Sequence, residues 1–482
     1  MQVTRSNPLK SVLISTYELG RQPFGLASPA AWLRQAGSSV RCLDLACEPF
    51  DEEAIKSADL IAFHVPMHTA TRLAIRILPA VRKLNPHAHL CFYGLYAPVN
   101  ESFLRKVGVQ TILGGEFEQG LVSTLDRLRN GDGRPSSQPL PAVSLSRQIF
   151  LAPDRSTLPP LRQYAHLVRA SGGTEAVGYT EASRGCKHRC RHCPIVPVYN
   201  GHFRIVQPQV VLEDIQQQVA AGASHITFGD PDFFNGIRHA VEIVTAMHAA
   251  HPGLTYDVTI KIEHLLKHAD HLRTLRDTGC LFVTSAVESL DDAVLLRLDK
   301  GHTREDFIRV LGLFREIGLT LSPTFVAFTP WTTLESYCDF LASLAELDLV
   351  EQVAPVQLAI RLLIPAGSRL LEISEIQEMV GAFDDAALVY PWANRDPRVD
   401  ELCAKIFSIV HQSEKKGMAR GAIFKRVAEL AYSTAGIRFP DGLESPVRPG
   451  RGTVPYLTEP WYCCAEPTED LLAFRNQDGS LV

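Results

Sequence analysis

Between Ser11 and Leu128 short apolar, β-branched runs alternate with stretches long enough for a helix. The runs are Ser11–Ser15, Val40–Leu45, Leu60–His64, Leu90–Tyr93 and Thr111–Leu113. Short strands separated by helix-length connections predict a parallel, doubly wound sheet of Rossmann-like type over residues 1–130. Ser28-Pro29 predicts the start of one helix, with serine as N-cap and proline at the first helical position, and Gly37 marks its end.

From about Asn130 to Gly173 the alternation lapses into a Pro/Ser/Gly-rich stretch that reads as a linker, 131–173. It resumes at Val177–Ser183 and continues through His225–Phe228, Thr255–Ile260, Leu281–Val287, Leu321–Val326 and Val356–Ile360. Helical stretches separate these runs, for example Pro208–Ala221 closed by Gly222. Six strand-helix units are two short of a closed eightfold barrel. They predict a partial (β/α)6 TIM barrel over 174–373, with its chemistry on loops at the carboxyl ends of the strands. Residues 374–438 read as a helical region and 439–482 as an extended tail.

The 482 residues, at about 150 per domain, allow roughly three domains. Hydrophobic residues at 46% and charged ones at 21% fit a globular protein. The net charge of −5 gives no basic excess for nucleic acid or an anionic membrane. The start lacks the apolar core of a signal peptide, and no run approaches a membrane span. A cytoplasmic protein with neither partner is expected.

That compartment keeps the 11 cysteines as thiols. Cys42, Cys91, Cys280 and Cys338 sit in apolar runs and read as buried side chains. Two groups differ. Cys186-x3-Cys190-x2-Cys193 lies on the loop after the first barrel strand. A four-iron cluster usually takes four thiolates, so three leave one iron open to an amino acid's amine and carboxylate. Arg184, Lys187, His188, Arg189, Arg191 and His192 would offset the negative charge. The competing readings are a zinc knuckle with His188 or His192 as fourth ligand, and buried thiols with no ligand.

Gly185–Pro194 resembles the signature of radical S-adenosylmethionine (radical SAM) enzymes. In that superfamily three cysteines hold a [4Fe-4S] cluster, SAM chelates the fourth iron, and one electron breaks a sulfonium carbon–sulfur bond. The residue before the third cysteine, usually aromatic there, is His192. The resemblance implies a small-molecule substrate and an external reductant such as flavodoxin or ferredoxin. Phe228–Phe234, with Gly229, Asp230 and Asp232, resembles the segment that receives the SAM amino group; a helix cap is the competing reading. Glu288-Ser289 and Lys300-Gly301-His302 resemble the region around strand four that contacts SAM. Arg361, ending strand six, would pair with the SAM carboxylate through its planar fork. A surface ion pair is the alternative there, and for Lys261 and Glu263 after strand three.

A parallel domain ahead of such a barrel resembles the cobalamin-binding domain of many of these enzymes, and Gly114–Glu118 resembles its closing turn. The fingerprint Asp-x-His-x-x-Gly is absent, so cobalamin would need another protein contact or none. Tyr17–Gly25 lacks the glycine spacing of a dinucleotide loop. Pro66–Arg72 follows strand three at the carboxyl edge, which makes His68 and Arg72 candidate substrate contacts. Otherwise Thr69 caps a helix packed inward.

The tail carries adjacent Cys463 and Cys464. Neighbouring α-carbons about 3.8 Å apart make a bridge between them strained. Two vicinal thiolates suit a thiophilic centre such as arsenic(III), zinc or copper(I); two plain thiols near a chain end are the alternative. Cys-Cys-Ala-Glu-Pro matches the ending of a radical SAM family named for that tail, some of whose members carry selenocysteine at the second position. That family is similar to the radical SAM enzymes of arsinothricin biosynthesis, which join the 3-amino-3-carboxypropyl group of SAM to arsenic. The resemblance implies that Cys463 and Cys464 are catalytic and hold arsenite as substrate. The alternatives are a cobalamin-dependent radical SAM methyltransferase and a non-enzymatic metal-binding regulator or carrier.

Overall fold

The computed structural model describes residues 8–130, 140–169, 171–443 and 454–459, so Cys463 and Cys464 lie outside the described residues. Strands β1 (Lys10–Ser15), β2 (Ser39–Asp44), β3 (Leu60–His64), β4 (His89–Tyr93), β5 (Thr111–Gly115) and β6 (Val143–Ser144) form one sheet. Their order is β2-β1-β3-β4-β5-β6, parallel throughout. Side chains alternate between its faces: Val12 and Ile14 join one buried cluster, Leu13 the other. Cys42 and Cys91 are fully buried on the second face. Chain order reverses between β1 and β3, which opens a crevice at their carboxyl ends.

The first helix spans Phe24–Gln35 and does not start at Ser28. Pro29 lies inside it and cannot donate to the Gly25 carbonyl four residues back. The Tyr93 hydroxyl takes that place, donating to Gly25 O at 2.8 Å, so a partner from β4 permits the internal proline.

The second sheet comprises β7 (His166–Val168), β8 (Thr174–Thr180), β11 (His225–Phe228), β12 (Thr255–Thr259), β13 (Cys280–Glu288), β14 (Thr320–Phe325) and β15 (Tyr456–Leu457). A separate hairpin pairs β9 (Ser183–Gly185) with β10 (Phe203–Ile205). Five strands, β14-β13-β12-β11-β8, run parallel as a half-barrel, and antiparallel β7 and β15 extend its β8 edge. The sixth barrel strand is reduced to one parallel bridge, Phe328 with Arg361, after a 3-10 turn over Pro355–Leu358. Pro355 has no N–H to give a ladder, and the buried Gln357 side chain accepts from Phe325 N at 2.9 Å. A side chain thus satisfies the β14 edge where a sixth strand would begin. Cys280 and Cys338 are buried in the core around these strands.

The segment between the sheets is tied to both. Arg155 makes a two-pronged pair with Asp214 (2.8 and 3.0 Å) and also donates to Gln22 Oε1 at 2.8 Å and Tyr179 O at 2.7 Å. No helix among the described residues is long and apolar enough to cross a membrane.

Gly185 sits at φ +76°, and a Cβ there would lie 2.5 Å from the His202 carbonyl oxygen. Gly185→Ala should therefore destabilise the fold by about 1–3 kcal/mol, read as a lowered thermal midpoint. An unchanged midpoint would show that the turn into Cys186 does not need glycine.

Candidate active site and metal centre

The cysteine loop leaves the β9–β10 hairpin and is clamped on three sides. Cys186 N donates to His202 O at 3.1 Å, Lys187 N to Asn235 Oδ1 at 3.1 Å and Arg191 N to Leu298 O at 2.9 Å. Cys186, Cys190 and Cys193 line one cavity of about 330 Å³. The same cavity is bounded by Glu18 and His64 from the carboxyl ends of β1 and β3, so it spans the crevice of the first sheet and the top of the half-barrel.

Among the described residues, no group of three or more donors that includes these cysteines has its ligand atoms within 4.8 Å of one another. His192 turns Nε2 toward Glu288 Oε1 at 3.0 Å, and His188 faces Asp232 and Glu263. Such a donor set fits thiolates on separate irons of a cluster better than one shared zinc. Burial, reinforced by the charge of Asp232, pushes the Cys186 thiol up to about 11, so its proton leaves only in exchange for a metal.

Glu288 ends β13 at φ +70°, a conformation rare outside glycine, beside a register shift against β14. This turn buries its carboxylate between His192 and Lys300, whose Nζ is 3.3 Å away. Burial alone would raise its pKa; Lys300 and His192 outweigh it and hold the group down to about 2. Lys300, equally buried, is held above its ordinary value against desolvation by Glu288, Cys190 and Cys193. It is a fixed positive charge beside two of the thiols.

Arg184, two residues before Cys186, is buried to 6% exposure among three carboxylates. It contacts Glu181 at 2.8 Å, Glu118 at 2.7 Å and Glu116 at 3.3 Å, the last two belonging to the first domain. The rings of Phe24, Phe117 and Phe150 surround its guanidinium. One cation cannot balance three carboxylates, two of them, Glu116 and Glu118, fully buried. Burial, only partly offset by Arg184, lifts Glu116 to about 7, so this carboxyl holds a proton over part of the neutral range.

Several expected site residues have other positions. Gly229 lines the cavity but packs directly on Tyr179, and Asp230 accepts from Ala182 N at 2.9 Å and Ser183 Oγ at 2.5 Å, which commits both its oxygens to bracing the loop. Asp232 caps the 3-10 turn Phe233–Gly236 through Oδ1. Lys261 is buried and faces the cavity. Arg361 is turned away: it pairs with Asp400 at 2.6 Å, donates to Trp392 O at 2.6 Å and stacks on the Trp392 ring. His68 donates Nε2 to Ala387 O at 2.7 Å, and burial lowers it to about 4, which keeps it neutral. Neither His68 nor the half-buried Arg72 lines the cavity. Both follow β3, but their helix turns them onto the C-terminal region. The sequence offers Arg184 only as one of several basic loop residues and Lys300 only as part of the strand-four region; it does not show that one is the buried link to the first domain and the other the cation beside the thiols. Proximity of Arg184 to Cys186 was visible; its partners in the first domain were not.

Residues 180–341 match the Radical SAM superfamily. The chain carries a radical SAM domain. Such a domain implies a [4Fe-4S] cluster and S-adenosylmethionine. The chain is 23% identical to the hopanoid C-3 methylase of Methylococcus capsulatus, over 64% of this chain and 62% of that protein. It is 25% identical to the tRNA-2-methylthio-N(6)-dimethylallyladenosine synthase of Pelodictyon phaeoclathratiforme, over 47% and 49%. The chain therefore spans about half to three-fifths of the length of these relatives. Its fold resembles the cobalamin-dependent S-adenosylmethionine radical enzyme OxsB, with a TM-score of 0.67 at 15% identity over 89% of this chain and 72% of that one. It also resembles the radical S-adenosylmethionine methyltransferase TsrM of Kitasatospora setae, with a TM-score of 0.57 at 18% identity over 76% of each. The radical SAM domain and the first domain thus recur together in solved structures.

The charge balance around Arg184 gives a sign for pH dependence. Glu116 titrates at about 7 in the fold against 4.5 ordinarily, so the folded state holds its proton more tightly. Stability should fall as pH rises from about 4.5 to about 7, by on the order of 3 kcal/mol from this group. Asp44 and Asp230, both lifted to about 7 by burial, act in the same direction. Unfolding followed between pH 5 and 8 should show a shallower decline in Glu116→Gln; an identical slope would remove Glu116 from the balance.

Proposed function

We propose that the protein is a radical SAM enzyme that transfers a methyl group to a small molecule bound between its two domains. The observation that carries this reading is the single cavity shared by the three cysteines and the carboxyl edge of the first sheet. The methylase and methyltransferase named among the relatives support transfer of methyl over the 3-amino-3-carboxypropyl group expected from the tail.

When bound, a reduced cluster would supply one electron to the sulfonium of SAM and hence carbon-radical chemistry. The chain's own residues prepare that site. Cys186, Cys190 and Cys193 hold the irons, and Lys300 offsets their charge. Glu288 fixes Lys300 and orients His192. Lys261, not Arg361, presents a buried cation to the cavity and suits an amino-acid carboxylate. Phe24, Tyr179 and Phe228 supply apolar wall that excludes water.

A corrinoid would lie against the carboxyl edge of the first sheet, where Gly94, Tyr96 and Gly115 line the same cavity as the cysteines. A Cβ on Gly94 would meet Val65 O at 3.1 Å, and one on Gly115 the Ser144 carbonyl, so the fold itself requires glycine at both positions.

One observation favours the arsenic reading as a second. Glu459 accepts from the Tyr17 hydroxyl at 2.6 Å, beside Glu18 and Leu19 of the cavity wall. Cys463 follows four residues later, within about 14 Å of chain.

Anaerobic reconstitution with iron and sulfide should give about four irons per chain, and replacing any one of Cys186, Cys190 or Cys193 by alanine should abolish the cluster. With SAM and dithionite, S-adenosylhomocysteine would mark methyl transfer, and methylthioadenosine formed only with arsenite would mark the second reading. A colourless protein holding stoichiometric zinc would overturn both.

A further inference from the structure

We propose that His188, Asp232 and His264 form a second metal site, distinct from the three cysteines, that takes a divalent transition ion such as zinc. The donors come from three places: the cysteine loop, the turn after β11, and the helix Ile262–Lys267 after β12. His264 Nδ1 lies 2.7 Å and His188 Nε2 3.4 Å from one atom, Asp232 Oδ2, and all three atoms fall within 4.8 Å of one another. Asp232 Oδ1 is occupied by Phe234 N at 3.2 Å, which leaves Oδ2 as the free donor.

All three atoms are buried and have no hydrogen-bond partner outside the trio, the only close approaches being those of the two imidazoles to Asp232 Oδ2. Leaving one such atom without a partner costs about 1–3 kcal/mol. Three that converge on one point are satisfied together by a shared cation. The Asp232 side chain is fully buried, and that of His264 is 5% exposed.

The surroundings match a metal site in a further respect. An imidazole that binds a metal usually gives its other nitrogen to a carboxylate, and His188 Nδ1 lies 3.4 Å from Glu263 Oε2. Two imidazoles and a carboxylate suit zinc or ferrous iron. A tetrahedral ion about 2.1 Å from each donor spreads them about 3.4 Å apart. The Asp232–His188 separation already matches, and His264 would retreat by several tenths of an ångström. A fourth position remains open, and His188 borders the cavity. The ion would pin the cysteine loop to the ends of β11 and β12 and offer the cavity a site for water or a substrate heteroatom. None of this requires SAM cleavage.

The test uses the full chain with Cys463→Ser and Cys464→Ser, so that the tail thiols hold no zinc. The cluster is reconstituted anaerobically, zinc chloride is added in slight excess, and unbound metal is removed before iron and zinc are counted. About one zinc per chain is expected beside the cluster iron. Asp232→Asn and His264→Gln should each lower zinc at least tenfold with iron and the cluster absorbance retained. No zinc in the parent, undiminished zinc in both variants, or iron lost together with zinc in both would overturn the site. The first of these would mean that two imidazoles merely pack around a carboxylate.

Discussion

The arrangement of this protein depends on a buried charge, the guanidinium of Arg184, held where two domains meet. Taking a cation out of water is unfavourable unless anions and aromatic faces replace the lost hydration. Here Glu181 comes from the same turn, while Glu116 and Glu118 come from the end of the first sheet. The contact is therefore satisfied only when both domains are in register. Removing one side of such a pair typically costs about 3–5 kcal/mol, because the other charge stays buried. Its distance in sequence from Cys186 is two residues, so domain docking and cysteine placement are one event.

The same economy of position governs the rest of the cavity. Glu288 reaches Lys300 and His192 only because β13 slips register at its end. A local backbone distortion there sets the charge beside the thiols. Asp230 and Asn235 brace the loop from the turn after β11, Asn235 through Lys187 N and Gly185 O. The cysteines are thus placed by polar contacts from several strand ends, as expected where loops at one face of a barrel carry the chemistry.

The alternation of apolar runs was enough to read the doubly wound sheet and the half-barrel, because most of their strands carry a run of buried residues and show it locally. The cysteine triplet was legible for a similar reason: its spacing is contained in one loop. What local pattern does not contain is the partner. Arg361 looks like a free fork at a strand end until Asp400 and Trp392 occupy it. His68 looks like an edge residue until Ala387 takes its ring nitrogen. Ser28-Pro29 reads as a helix start because Tyr93, which relieves the internal proline, is 68 residues away from Gly25. Val356–Ile360 is apolar enough for a strand, yet Pro355 and the Gln357 side chain divert it.

Strand β15 pairs with β7, and His166 N meets the Thr458 hydroxyl across 292 residues of chain. An uncovered strand edge is a template for pairing with other molecules. The border of the half-barrel beside β7 is sheathed only once the chain has been made as far as Thr458. Shortened products ending before Tyr456 would therefore expose a bare ladder of amides, inviting self-association even with every cysteine of the loop in place.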